Sequence, residues 1–151
     1  YDRIIELDLD HVALDGSIHK APCGGEGTGK SPVDRGKLGW KWSAAVDGAG
    51  IPLGWAIDGA NRNDVALLEP TLDAVAANGL LSAIGTLSLD RGYDYPVVRA
   101  RLADRGLIDL AIQRRGTKPP PGSPHRLTLG VRWRWRPRSG VNGSGCRLPG
   151  W

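Results

Sequence analysis

The stretch GGEGTGKS, residues 24–31, matches the phosphate-binding loop pattern letter for letter: a glycine, four further residues, then Gly-Lys-Ser. At face value it makes the chain a nucleotide-binding ATPase, in which a buried strand feeds the glycines into a helix whose first amides, with the Lys ammonium, hold the phosphates. The flanks decide between that fold and another. Upstream, HVALDGS (residues 11–17) has the apolar character of a strand, but residues 18–23 intervene before the first glycine. Downstream, Pro32, Gly36 and Gly39 interrupt any helix within two turns. The segment TLSLD (residues 86–90), an apolar run ending in an acid, imitates the second nucleotide motif. With no helix to receive it, GGEGTGKS is expected to be irregular, and the fold has to be read from the elements on either side.

The 151 residues, 40% of them hydrophobic, are enough for one domain with a real core. No apolar run approaches the roughly 18 residues of a membrane span, and no basic-then-apolar leader precedes the first strand. A cytoplasmic protein without a membrane partner is expected. Cys23 and Cys146 lie far apart with no second ligand pair at zinc spacing and read as ordinary thiols. The lack of Met and the start at Tyr1, just ahead of a strand, read as a fragment. Charge is polarised: residues 1–113 carry all 16 acids against 11 bases, whereas residues 114–151 carry nine bases and no acid. A basic, proline-rich, Trp-containing stretch suits phosphate contact and base stacking, which makes nucleic acid the natural partner class; a solvated tail has the same composition.

Along the chain, a first strand is expected over residues 7–14. GWKWSAAVD then alternates with period two, placing Trp40, Trp42, Ala44 and Val46 on one face, where Trp40 or Trp42 is expected to pack beneath the sheet. With the turn residues 47–50 and the apolar run 51–57, residues 41–57 read as a β-hairpin. Val65, Leu68, Leu72 and Val75 recur at helical spacing ahead of Asn78-Gly79, with Pro70 starting or kinking that helix. Residues 83–90 read as a buried strand. Asp94 is expected to cap a second helix that opens near Pro96 and stops at Gly106, and residues 108–113 read as a last strand. The order strand, strand, strand, helix, strand, helix, strand predicts an α/β fold with a mixed sheet, resembling the ribonuclease H-like arrangement more than a doubly wound one. Residues 1–113 form the expected core, 114–130 a Pro/Gly-rich linker or loop, and 131–151 an irregular basic tail.

That arrangement puts Asp15 at the end of the first strand and Asp90 at the end of the fourth, as neighbours. Two carboxylates delivered from adjacent strand ends can hold Mg²⁺, a hard ion that takes oxygen ligands and keeps open water positions. Each is followed within two residues by a glycine, Gly16 and Gly92, which would let a phosphodiester backbone approach closely. Strand-end aspartates are also common turn-formers, and spacing alone does not separate the two roles.

The run LDGSIHKAPCGGEGTGKSPVDRGKLGWKWS (14–43), the segment DGAGIPLGWAIDGANRNDVALLEPTLDAV (47–75) and LDRGYDY (89–95) together resemble the catalytic core of bacterial insertion-sequence DDE transposases of the insertion sequence five and four types. The likeness covers residues 10–129. It implies a ribonuclease H-like fold and DNA transposition: strand cleavage and transfer, dependent on Mg²⁺ or Mn²⁺, at the terminal inverted repeats of the element and in target DNA. It also implies a homodimer when active, at the nucleoid. It carries Asp15 over as the first catalytic, metal-binding carboxylate and Asp90 as the second. In this family a glycine-rich, lysine-bearing loop follows the first catalytic strand, so GGEGTGKS resembles that loop. Lys30 is then a contact to the phosphates of DNA, and Lys37, Lys41, Arg62 and Arg91 are further candidates.

The family's third carboxylate, a Glu on a helix a few residues after an Arg-Trp pair, has no counterpart here. Arg132-Trp133 is followed by RWRPRSGVNGSGCRLPGW, and no acid occurs after Asp109. Trp135 is encoded only by TGG. If the Arg134 codon ends in G and the Arg136 codon begins AG, the neighbouring frame spells Val-Glu, so the tail from about Arg134 reads as a frameshifted remnant. The expectation is therefore a truncated and inactive core; a non-catalytic DNA-binding remnant and a nucleotide-binding ATPase are the other readings.

Overall fold

The structure, a computed structural model, describes residues 7–112. The expected linker, the basic tail and the reading of residues 132–136 lie outside the described residues. Eight elements carry the fold: β1 (His11–Lys20), β2 (Gly29–Lys30), β3 (Leu38–Val46), β4 (Pro52–Gly59), α1 (Asp64–Ala77), β5 (Thr86–Leu89), α2 (Pro96–Asp104) and β6 (Leu110–Ile112). They build one mixed sheet in the order β2-β3-β1-β5-β6, with β4 also paired to β3. β3 runs antiparallel to both β1 and β4, while β5 is parallel to both β1 and β6.

GGEGTGKS is neither a strand-to-helix loop nor wholly irregular. Gly24, Gly25 and Gly27 have φ of 69°, 133° and 75°, values open to glycine and strained for other residues. Gly29 and Lys30 then pair with Gly39 and Leu38 as the two-residue β2. No helix begins there; Ser31 leads into a turn.

Which face of β3 points inward is the main correction to the period-two reading. Lys41, Ser43 and Ala45 are buried, whereas Trp40 and Trp42 remain 37% and 40% exposed. The reason is the close approach of α1. The Thr71 hydroxyl lies 2.8 Å from the Ser43 hydroxyl and donates to the Leu67 carbonyl at 2.7 Å. A Cβ on Gly54, paired opposite Ala45, would stand 2.7 Å from the backbone nitrogen of Val75. Only small residues fit under a helix that close, so the tryptophans take the far face. There Trp40 and Trp42 are joined by Trp55 and Ile57, and the Trp42 ring meets His19 at 5.8 Å. Val46 is buried as well, because the β3–β4 register shifts between Ala45 and Val46.

Leu68, Leu72 and Val75 of α1 close the core over Val12 and Leu14 of β1 and Leu87 and Leu89 of β5. The hairpin turn is tied by the buried Asp47 carboxylate, which accepts from the backbone N–H groups of Ala49, Ile51 and Asp8. Asn63 caps α1 by accepting from the Val65 N–H at 3.2 Å, and Pro70 sits inside the helix, not at its start. The N-cap of α2 falls on Tyr95, one residue later than expected, with Pro96 opening the helix, while Asp94 receives the guanidinium of Arg99. Arg105, at the end of α2, bridges to Glu69 and Asp73 of α1, locking the helices together.

Gly54→Ala forces α1 away from β4 and is expected to cost about 1–3 kcal/mol, as overpacking does. Urea denaturation checks it; a loss below about 0.5 kcal/mol, the usual effect of an unconstrained surface change, would mean the helix lifts freely.

Candidate active site

β5 has four residues and β1 has ten. Their parallel register runs from His11↔Thr86 to Leu14↔Leu89 and stops there. The next residue on each strand is an aspartate, Asp15 on β1 and Asp90 after β5. Asp15 is thus not at a strand end, as the sequence suggested, since β1 continues along β3 to Lys20. It lies where the parallel partner runs out, one strand spacing of about 4.8 Å from the start of the Asp90 turn. The Asp90 carboxylate caps the short 3₁₀ turn Arg91–Tyr93 by accepting from the Arg91 N–H at 2.6 Å. Asp15 accepts from the Gly16 N–H at 2.7 Å.

A third carboxylate reaches this edge from a position that motif reasoning passed over. Asp64, the first residue of α1, projects toward Gly16: a Cβ there would lie 2.5 Å from its Oδ1. The space at Gly16 is therefore taken by Asp64, not left open to a DNA backbone. At Gly92 the nearest atom to a Cβ is an Asp90 oxygen at 3.7 Å, so that side is the open one. Lys41 Nζ bonds Asp64 Oδ1 at 3.0 Å, with the lysine side chain 7% exposed. Lys41, expected at a DNA phosphate, is instead a buried counter-ion. The one sequence cue was its placement between two tryptophans in an alternating strand: if they face out, it faces in.

Like charges gather at this edge. Asp15 is an exposed residue whose carboxyl is partly desolvated, and this raises it from its ordinary value; the Gly16 N–H opposes the rise, and the charges of Asp90 and Asp64 add to it. Tyr93 is 2% exposed, and its hydroxyl, without a hydrogen-bond partner among the described residues, is raised by burial and then by Asp64, Asp15 and Asp90. The other acids near in sequence go elsewhere. Asp94 receives Arg99, and Asp109 accepts from the Thr86 hydroxyl, at the opposite end of β5. Of the remaining basic candidates, Lys30 and Lys37 are exposed and have no ion-pair partner among the described residues. Arg62 is exposed and bridges to Asp58 at 3.1 Å, and Arg91 is half-buried beside Asp90.

Among the described residues, no group of three or more His, Cys, Asp or Glu is arranged to hold a metal ion. Two carboxylates facing a common edge nevertheless fit a hard divalent ion that keeps most of its water, since such ions are commonly held by one or two protein carboxylates. Asp15 and Asp90 are the residues that would hold it.

The raised Asp15 carboxyl sets the sign of a pH effect. A folded-state pKa above the unfolded value stabilises the fold at low pH, and that stability is lost as pH rises through the folded value. In metal-free buffer, Asp15→Asn is expected to melt higher than the parent at pH 7, the gain shrinking to nothing as pH falls below the ordinary carboxylate range. Thermal melts across pH read this directly; a gain independent of pH would remove Asp15 as its source.

The description "Transposase DDE domain" matches residues 6–141 of the chain. A protein of Burkholderia cepacia assigned as a transposase for insertion sequence element IS402 is 39% identical over 93 residues, covering 58% of this chain and 44% of that protein. The chain thus spans less than half the length of this curated relative. No solved structure matches it. Two aspartates that each follow the last registered pair of β1 and β5, on a mixed sheet that lies wholly within the matched range, agree with that description: the chain belongs to the transposase DDE domain family.

Proposed function

We propose that this chain is the catalytic core of an insertion-sequence transposase, a ribonuclease H-like sheet of the kind directed to metal-dependent cleavage and transfer of DNA strands at the ends of its element, and inactive as it stands because no acid follows Asp109 to serve as the third carboxylate. The core is residues 1–113, and the partners are the terminal inverted repeats, the target DNA and a second copy of the chain. The observation that carries this reading is the register ending at Leu14↔Leu89, which leaves Asp15 and Asp90 side by side. A divalent ion, Mg²⁺ or Mn²⁺, supplies Lewis acidity for phosphoryl transfer when bound. Asp15 and Asp90 are the residues that would hold it, their carboxylates each fixed by a backbone N–H, of Gly16 and of Arg91 respectively. Lys30 and Lys37 suit contact with the phosphates of the DNA, with Arg62 and Arg91 closer to the edge of the acids in sequence.

The ATPase reading has no support from the glycine loop, whose Gly-Lys enters a strand. The non-catalytic reading rests on one observation, the absence of any acid after Asp109.

Two measurements separate the readings. Mn²⁺ is expected to raise the melting temperature of the full chain, and Asp15→Asn or Asp90→Asn to abolish that rise; stabilisation by ATP in its place would restore the ATPase. DNA carrying the element ends is expected to bind without metal, to weaken steeply with salt, and to remain uncut with Mn²⁺. Cleavage lost on Asp90→Asn would instead show that an acid of this chain fills the third position.

A further inference from the structure

The Lys41–Asp64 pair has no role in holding the sheet that a pair of apolar residues could not fill, and burying an ammonium is costly unless it is well paired. Its position accounts for it. Lys41 leaves β3 toward α1 and grips the first residue of that helix, and Gly16 gives up its side chain so that the Asp64 carboxylate can lie against β1. Asp64 keeps 47% of its side chain exposed, so it is pinned at the mouth of the site and not submerged. The charge of Asp64 acts on Asp15, adding to that of Asp90. A second observation points to a ligand at the same place. The Tyr93 hydroxyl is buried, has no hydrogen-bond partner among the described residues, and lies in the field of all three aspartates. A buried hydroxyl left unpaired costs about 1–3 kcal/mol, a cost removed when an oxygen of a hydrated ion or of a phosphate arrives beside it.

We propose that Asp64, held in place by Lys41, is a positioning residue of the divalent-cation site formed by Asp15 and Asp90, supplying charge at its rim while the Tyr93 hydroxyl, able to donate or accept, hydrogen-bonds the incoming oxygen or its water. Asp64 is not a direct ligand, since the three acids do not converge into one coordination group. Three carboxylates and one buried ammonium leave two net negative charges, the complement of one divalent ion. The inference rests on the two-aspartate reading of the site.

The test is Mn²⁺ binding to the full chain, followed by the paramagnetic resonance of the free ion. Asp64→Asn is expected to weaken binding about tenfold, the usual effect of losing an outer partner of a metal site. In the Asp15→Asn background the same change is expected to have no effect, because no site remains to be tuned. Tyr93→Phe is expected to weaken binding less, without lowering the melting temperature of the metal-free chain. An unchanged Mn²⁺ affinity in a folded Asp64→Asn variant overturns the inference while leaving Asp15 and Asp90 in place; failure of the parent to bind Mn²⁺ overturns the two-aspartate reading itself. Should Asp64→Asn not fold, because Lys41 is left without its counter-ion, Asp64→Glu keeps that partner and shifts the carboxylate by one methylene. Unchanged affinity in that variant would equally count against the proposal.

Discussion

The parallel pairing of β1 with β5 is the constraint on which the rest of this structure depends. Parallel strands need a long crossover to join them, and here the crossover contains the entire β3–β4 hairpin and α1. Its four registered pairs bury Val12, Leu14, Leu87 and Leu89 beneath α1. Because β5 stops after Leu89 and β1 does not, the next residue of each strand is released at one edge, side by side and outside the apolar layer. A one-residue slip would turn Leu14 and Leu89 to the wrong face, so the hydrophobic core itself fixes the alignment of the two aspartates.

The second determinant is how near α1 lies to the sheet. Ser43, Ala45 and Gly54 give it room, and the Thr71 hydroxyl fills what remains. At this separation the first turn of α1 reaches β1, and Asp64 comes to the same edge as Asp15 and Asp90. The polar residue at position 41 is then forced inward by the alternation that sends Trp40 and Trp42 out, and its charge is met by Asp64. A buried ion pair contributes little net stability; what this one provides is a fixed position for a carboxylate. The far face, with Trp40, Trp42, Trp55 and Ile57 each more than a third exposed, is the other side of the same choice.

Much of this was legible in the amino acids. Apolar runs ending in acids, the Asp47–Gly50 turn, the spacing of Val65, Leu68, Leu72 and Val75 and the glycine stops gave the elements and their order, because each is a local preference of backbone and side chain. The same local logic disposed of the phosphate-binding loop: Pro32 and Gly36 preclude the helix that such a loop requires. The two-residue β2 escaped it, since a pairing with Leu38 and Gly39 leaves no periodicity in two residues.

What the tertiary structure alone decided was which side of each strand is inside and which distant acids meet. Period two says that Trp40 and Trp42 share a face but not which one, and size argued for the core; the closeness of α1 reversed that, because a helix whose backbone would stand 2.7 Å from an added Cβ leaves no room for an indole. Lys41 read as a surface cation for the same reason. Asp64 carried no sign of a site in the sequence, forty-nine positions of chain from Asp15, and only the packing of α1 across β3 and β1 brought it beside Gly16. The sequence by itself determined that an apolar run leads into each of Asp15 and Asp90, through residues that interact with their immediate neighbours, although β1 runs on past Asp15 to Lys20. The third carboxylate and its lysine depended on the distance between a helix and a sheet, which no local pattern encodes.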